Sequence, residues 1–209
     1  MIDLVMLQCS NIQCNLRFPA PLDDYNVFCP LCGERLIVTQ YVLDNGYAHF
    51  NKLRGFRLEC VLDNIRSAYN VGSILRSANA FGLDQIYLCG VTPSPTQSKV
   101  RKTSLGSEKT LSWKSHPNAL DLVHEKKELD YTIYSIEACP TAQSLLDIGL
   151  KFNSEKILFI LGNEIYGIDP EIRICSDAVL QIPIWGQKKS LNVATSFSIA
   201  AFYFSQLSR

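Results

Sequence analysis

Two segments of this chain, Ile160-Leu-Gly-Asn-Glu-Ile-Tyr-Gly167 and Ile182-Pro-Ile-Trp-Gly-Gln-Lys-Lys-Ser-Leu-Asn-Val193, decide how the rest is read. Each sets an apolar, strand-like run directly against glycine, amide and hydroxyl groups, and the second continues into a helix-like stretch. A strand that ends this way offers backbone and small polar side chains to whatever lies beyond it, which is how a binding site reads in sequence. Upstream lies Asn70-Val-Gly-Ser-Ile-Leu-Arg-Ser-Ala-Asn-Ala-Phe-Gly82. There Val71, Ile74, Leu75, Ala78 and Phe81 form one apolar stripe at helical spacing, and Gly82 supplies a stop. At about 100° per residue Arg76 points almost directly away from that stripe, toward substrate or solvent.

Five strand-like runs frame these segments: Arg57 to Leu62, Gln85 to Cys89, Tyr131 to Ile136, Lys156 to Leu161 and Ala178 to Pro183. Most are short apolar blocks with β-branched residues, separated or followed by stretches that can be helical. That alternation predicts an α/β domain with a parallel sheet. The last helix differs from the first. Ser190 can cap it, and Leu191, Val193, Ala194, Phe197, Ile199 to Phe202 and Phe204 leave it little polar face, which asks for burial in the sheet or at a subunit contact. Asn192 stands at its apolar start, where its amide needs partners. It reads either as a functional group or as a structural amide bonded to nearby backbone.

At 209 residues and 47% hydrophobic the chain fits one ordinary domain plus a small module. Twenty basic and twenty acidic residues cancel, which argues against a broad electrostatic grip on nucleic acid. Any such grip must come from local patches: Lys99, Arg101, Lys102, Lys109 and Lys114, Arg66 and Arg76, or the pair Lys188 and Lys189. The start carries Asp3 and no basic flank, so it does not read as a secretory signal. The longest apolar candidate, Leu191 to Leu207, is broken by Asn192, Thr195, Ser196 and Ser198. These features predict a soluble, cytoplasmic protein with no membrane span.

Eight cysteines fall into two groups. Cys60, Cys89, Cys139 and Cys175 lie singly and read as inert thiols. Cys9-x4-Cys14, fourteen intervening residues, then Cys29-Pro-Leu-Cys32-Gly33 form two knuckles, the layout by which four thiolates reach one tetrahedral zinc. The alternative is two disulfides, which a cytosolic chain disfavours. So short a segment cannot bury enough apolar surface to fold alone, and a structural zinc would supply the missing stabilisation. The segment resembles a zinc ribbon, a module common in proteins that handle nucleic acids. His49 is a conceivable substitute ligand, although a lone histidine is more often ordinary surface. The expected organisation is a zinc-ribbon-like module over 1–40, a connector over 41–55 and a larger domain over 56–209.

The chain lacks the Gly-x-Gly-x-x-Gly turn of the common dinucleotide and methyltransferase folds, a Gly-x-x-x-x-Gly-Lys phosphate loop, a serine elbow and a His-Glu-x-x-His helix. What it has is three motifs in order, from Asn70, from Ile160 and from Ile182, and in that order they resemble those of the SpoU/TrmH class of SPOUT RNA methyltransferases. The resemblance runs from about Phe56 to the C-terminus. It implies a parallel sheet with helices on both faces and a C-terminal trefoil knot, which sequence periodicity alone would not suggest. It further implies bent S-adenosylmethionine held largely by backbone at Leu161, Gly162 and Asn163, at Ile182, Ile184 and Gly186, and at Leu191. Glycine lets backbone approach adenine, and the aliphatic side chains offer walls to its faces.

The activity implied is methyl transfer to a ribose 2′-hydroxyl of tRNA or rRNA, with Asn70, Arg76, Glu164, Ser190 and Asn192 matching the catalytic set. The departures are mild: Ile165-Tyr166 fill positions that are often small, and Thr195-Ser-Phe stands where relatives carry smaller apolar residues. A guanidinium is effectively always protonated, so Arg76 is better placed gripping a phosphate and stabilising developing alkoxide charge than acting as base. That phosphate or water then takes the proton. Ser190 and Asn192 would orient the ribose and the cofactor edge. Glu164 fixes the loop or Asn70, or is simply a structural carboxylate. The resemblance also implies a homodimer in which Arg76 of one chain serves the cofactor of the other. A competing function is an RNA-binding assembly factor or chaperone with this fold and little turnover.

Overall fold

The structure, a computed structural model, describes residues 4–21, 23, 26–42, 55–148 and 154–207. The chain forms two compact units, Met1–Asn51 and Lys52–Arg209. In the smaller, strands β1 (Leu4–Cys9), β2 (Arg17–Pro21) and β3 (Leu36–Val42) make an antiparallel sheet in the order β2-β1-β3. Alternation along β1 sends Val5, Leu7 and Cys9 inward, where Ala20, Leu36 and Cys29 complete a core of only a few side chains. The expected connector over 41–55 lies outside the described residues from 43 to 54, as does His49; residues 41 and 42 close β3.

The larger unit runs β4 (Arg57–Asp63), α1 (Ala68–Ala80), β5 (Gln85–Cys89), α2 (Ser98–Ser104), β6 (Trp113–His116), α3 (Ala119–Glu128), β7 (Thr132–Ile136), β8 (Gln143–Ser144), β9 (Lys156–Leu161), α4 (Pro170–Cys175), β10 (Ala178–Gln181) and α5 (Val193–Ser205). Its seven strands pair in the order β6-β5-β4-β9-β7-β10-β8, every pair parallel. Two of the five predicted strands, Gln85–Cys89 and Lys156–Leu161, have the predicted bounds; the last ends at Gln181, two residues before the expected Pro183. β6 and β8 are edge strands that the apolar pattern does not announce.

The period-2 alternation of the central strands divides the core. Leu58, Cys60, Leu62, Ile86, Leu88, Phe159 and Leu161 face α1 and α5, while Val61, Tyr87, Leu158 and Ile160 face α3 and α4. Helices therefore cover both faces, as near-continuously apolar parallel strands require. Val71, Gly72, Ile74, Leu75 and Ala78 are the buried side of α1, and the chain leaves that helix through Gly82 at φ +64. Gly72 permits the close approach of α2: a Cβ there would stand 2.3 Å from the Val100 carbonyl oxygen.

The last helix requires one correction. Ser190 does not cap it; Asn192 does, its Oδ1 accepting from the backbone amides of Ala194 and Thr195 at 2.8 and 3.4 Å. Of the two outcomes its apolar run allows, burial in the sheet accounts for one side only. Phe197, Ala200, Ala201 and Phe204 are buried against the sheet, with Phe159 packed on Phe197 and Phe204, but Ile199 and Phe202 are exposed on the other side. Of the scattered cysteines, Cys60 and Cys89 are buried and Cys139 and Cys175 half-buried.

Candidate active site

Strand order places the site. After β4 the chain moves outward to β5 and β6; after β9, the neighbour of β4, it crosses β7 to reach β10. Loops leaving the carboxyl ends of β4 and β9 thus diverge, and such a switch point opens a crevice in an α/β sheet. A cavity of about 530 Å³ lies there, lined by the loops after β7, β9 and β10 and by the start of α5.

Both motif loops are held from within. Asn163 accepts from the amides of Ile165 and Tyr166 at 2.9 and 3.2 Å, and its Nδ2 donates to the Asn64 carbonyl at 2.8 Å, tying the β9 loop to the β4 loop. Gly167 closes the turn through its amide to the Asn163 carbonyl at 2.9 Å, at φ +75. Gly162 packs on that turn: a Cβ there would lie 2.3 Å from the Gly167 carbonyl oxygen and 2.4 Å from the Ile168 nitrogen. Its missing side chain therefore makes room first for protein backbone.

Glu164 accepts from the amides of Arg66 and Ser67 at 2.9 and 3.2 Å and from Asn70 Nδ2 at 3.1 Å. Burial works against the carboxylate, but these donors outweigh it and hold the Glu164 carboxyl below its ordinary range. Asn70 in turn accepts from Asn192 Nδ2 at 3.2 Å. A continuous polar chain thus joins the three motifs, from the start of α1 through Glu164, Asn70 and Asn192 to the start of α5. The amide of Asn192 is satisfied within the protein: its Oδ1 caps α5 and its Nδ2 fixes Asn70, as the structural reading expects.

Leu161, Gly162, Asn163, Ile182, Ile184 and Leu191 line the cavity, and so do Glu164, Ser190 and Asn192. Gly186 does not. Neither does Arg76, six residues and about 9 Å along α1 from Asn70. It is exposed, and among the described residues it has no hydrogen-bonding or ion-pair partner.

The sequence reading missed Ile136, which ends β7, Glu137 and Ala138, which follow it, and Lys189 beside Ser190, all of which line the cavity. Glu137 accepts from the Ile168 amide at 3.1 Å and lies 3.7 Å from an Arg173 guanidinium nitrogen, so it braces the Gly167 turn. Only its place at the end of a predicted strand could have flagged it.

In the smaller unit the sulfurs of Cys9, Cys14, Cys29 and Cys32 all lie within 4.8 Å of one another, with Cys9–Cys32 at 3.5 Å and Cys14–Cys29 at 3.8 Å. Sulfurs bound to one tetrahedral zinc stand about 3.8 Å apart, given zinc–sulfur bonds of about 2.3 Å. All eight cysteines are free. The second knuckle turns through Gly33 at φ +75, whose amide donates to the Cys29 carbonyl at 2.9 Å. Burial opposes ionisation of Cys29, but the amides of Cys32 and Leu31 prevail and bring its thiol down to about 7.

A parallel α/β sheet with a glycine-backed, amide-ringed cavity beyond its strand ends defines a protein built to hold a small organic ligand. Residues 57–202 match the family model described as the SpoU rRNA Methylase family, and the chain belongs to that family. An uncharacterized tRNA/rRNA methyltransferase of Borreliella burgdorferi is 32% identical over 142 residues, 68% of this chain and 60% of that protein. A tRNA (guanosine(18)-2′-O)-methyltransferase of Thermus thermophilus is 25% identical over 69% of this chain and 72% of its own length. A 23S rRNA (guanosine-2′-O-)-methyltransferase of Xylella fastidiosa is 30% identical over 71% and 58%. The chain thus spans less than two thirds of the Borreliella and Xylella proteins. In fold it resembles the AdoMet-bound rRNA methyltransferase of Sinorhizobium meliloti, with a TM-score of 0.66 at 24% identity over 73% of this chain and 57% of that one. The A. aeolicus TrmH/SpoU tRNA modifying enzyme has a TM-score of 0.66 at 21% identity, over 75% and 77%.

Proposed function

We propose that this protein is an S-adenosylmethionine-dependent RNA methyltransferase acting on a ribose 2′-hydroxyl of tRNA or rRNA. The observation that carries this reading is the hydrogen-bonded chain Glu164–Asn70–Asn192, which ties the first motif to two residues that line the cavity, one from each of the other motifs. The cavity suits the cofactor. Its volume falls within the usual range for organic ligands, and Leu161, Ile182, Ile184 and Leu191 supply apolar walls for a purine. Glu137 and Glu164 supply the negative charge a sulfonium and an ammonium need.

When bound, S-adenosylmethionine would supply an electrophilic methyl group to the ribose oxygen, whose proton would pass to a phosphate or water. The chain's own groups position and neutralise. Asn70 and Asn192 are locked in orientation by their mutual bond, Ser190 stands beside them, and Glu164 holds the start of α1. Arg76, exposed and outside the cavity of its own chain, is read as serving the site of a second copy, gripping a phosphate next to the target ribose. The exposed Ile199 and Phe202 of α5 support such a homodimer. A trefoil knot through the segment from Leu161 to Val193 belongs to the same reading.

The four-cysteine cluster is read as a structural zinc site, Cys9, Cys14, Cys29 and Cys32 being its ligands. The organisation proposed is a ribbon over 1–40, a connector over 41–55 and a methyltransferase domain over 56–209, in the cytoplasm. Among the described residues no helix is long and apolar enough to cross a membrane. The test is methyl transfer from labelled S-adenosylmethionine to RNA from cells lacking the protein, followed by nucleoside mass mapping. A 2′-O-methylated nucleoside is expected. RNA binding without transfer would favour an assembly factor, and a methylated base would refute the ribose assignment.

A further inference from the structure

Ile165 and Tyr166, the bulky pair in the β9 loop, remain without a role in the cavity's chemistry. Tyr166 is 86% exposed and Ile165 64%, yet both line the cavity. The backbone beneath Tyr166 is fixed: its amide donates to Asn163 Oδ1, and Gly167 closes the turn behind it. The β10 loop brings Lys189 to the same cavity, and Lys189 also lines a second cavity together with Lys188. The cavity lining thus includes an aromatic ring on a hydrogen-bonded turn and a lysine from the β10 loop.

We propose that Tyr166 is the platform on which the base of the target nucleotide stacks. The inference rests on the RNA-methyltransferase reading of the cavity. Bases in RNA loops, bulges and ends can be splayed from their neighbours and stacked on aromatic side chains, and an unstacked base beside this cavity needs such a π-face. Tyrosine provides one at low entropic cost, having two side-chain torsions to fix. The surroundings favour a nucleotide over a second copy of the chain as the occupant. Glu164 and Lys189 line the cavity alongside Tyr166, whereas the centre of a protein interface is depleted of such charges. A lysine lining the same cavity as an exposed ring fits the composition of single-stranded nucleic-acid sites. Because every base has a π-face, Tyr166 would hold the nucleotide without selecting its identity.

The experiment uses the full chain, labelled S-adenosylmethionine and RNA from cells lacking the protein. Stacking on an aromatic residue is worth enough that Tyr166→Ala should lower kcat/KM for RNA by about ten- to a hundredfold. Tyr166→Phe and Tyr166→Trp, which keep a ring, should recover most of that loss. Cofactor affinity by calorimetry and mass in sedimentation should match the wild type in all three. The inference is overturned if Tyr166→Ala is as active as wild type, if the loss follows weaker cofactor binding, or if the variant changes oligomeric state. It is equally overturned if Tyr166→Phe is as impaired as Tyr166→Ala, since the hydroxyl and not the ring would then matter. A wild-type chain that methylates no RNA refutes the underlying reading and the inference with it; an active wild type with an unaffected Tyr166→Ala refutes the inference alone.

Discussion

Arg76 is a charge that its own chain does nothing visible with. It sits on the solvent side of α1 and, among the described residues, neutralises nothing, although a guanidinium is well suited to bidentate recognition of a phosphate. Arg76→Ala should therefore keep cofactor affinity and lose most turnover. Arg76→Lys keeps the charge without the planar fork and should recover only part of it. Near-normal turnover in Arg76→Ala would remove the residue from the mechanism. Gly162 makes the opposite prediction, and for a reason visible only in three dimensions. Sequence reading explains it as space for the cofactor, whereas a side chain at 162 would strike the backbone of Gly167 and Ile168. Gly162→Val should thus weaken cofactor binding by displacing the β9 loop, and amide exchange of residues 163–168 should accelerate along with the lost affinity. Affinity lost with unchanged exchange would restore the simpler explanation. Asn192 was legible as an amide in an apolar setting, and Asn70 and Glu164 through the motifs they share with the SpoU/TrmH class. That they bond to one another was not, because they lie 94 and 122 residues apart along the chain.

At the scale of elements, the buried cluster on the α3 side of the sheet carries the clearest energetic consequence. Glu59 has no exposed surface and is paired with Lys126 and Arg57, with Tyr131 donating to it at 2.9 Å; Lys126 also donates to Tyr87 at 2.6 Å. Burial pushes the Glu59 carboxyl up, but Lys126, Tyr131 and Arg57 outweigh it and leave the group below its ordinary range. A carboxyl with a depressed folded pKa contributes stability that is fully present above its unfolded value, near 4.3, and is lost as pH falls through the folded value. Denaturant midpoints should accordingly drop below about pH 4.5, and the drop should shrink in Glu59→Gln. Lys126→Met leaves the carboxylate only Arg57 and Tyr131 and should cost up to about 3 kcal/mol, and adding Glu59→Gln should return part of it. A flat pH profile, or additive single and double variants, would refute this account. None of this was legible: Glu59 reads as one acid in an apolar run, and the lysine that meets it is 67 residues away. The long apolar strands were legible because burial on both faces leaves an uninterrupted signal. The four-residue β6, with Lys114 and Ser115 exposed, and the two-residue β8 carry no such pattern. In the smaller unit the knuckle spacing was the whole signal. Purified under reducing conditions, the protein should hold about one zinc per chain. Cys29→Ser should release the metal and unfold that unit with cofactor affinity kept, and a folded, metal-free wild type would refute the site.

For the whole molecule, the question is what covers the outer side of α5. Its inner side is spent on the sheet, yet Ile199 and Phe202 stay exposed, with Phe81 of α1 packed on Phe202 at 5.8 Å between ring centroids. The apolar run in the sequence predicted burial or a partner without distinguishing them, because a one-dimensional pattern cannot say how many surfaces meet a helix. The fold resolves half of this by showing which side faces the core. A second copy on the outer side would account for the other half and would supply the arginine that each cavity lacks. Mixing decides it. An Arg76→Ala chain keeps its cavity but lacks the guanidinium. A Leu191→Trp chain keeps Arg76 but fills the cavity from its own wall, without the backbone collision that a substitution at Gly162 would bring. Each alone should be inactive on RNA. Co-expressed with different affinity tags and purified through both, the heterodimer contains one intact cavity facing one intact Arg76, and it should recover up to half the wild-type activity per dimer. Sedimentation should give a dimer throughout, while Phe202→Glu should shift the wild-type chain toward monomer and lower its turnover. Mixed dimers that remain inactive although both chains fold, or a monomer with full activity, would return Arg76 to its own chain and leave the exposed side of α5 to another occupant.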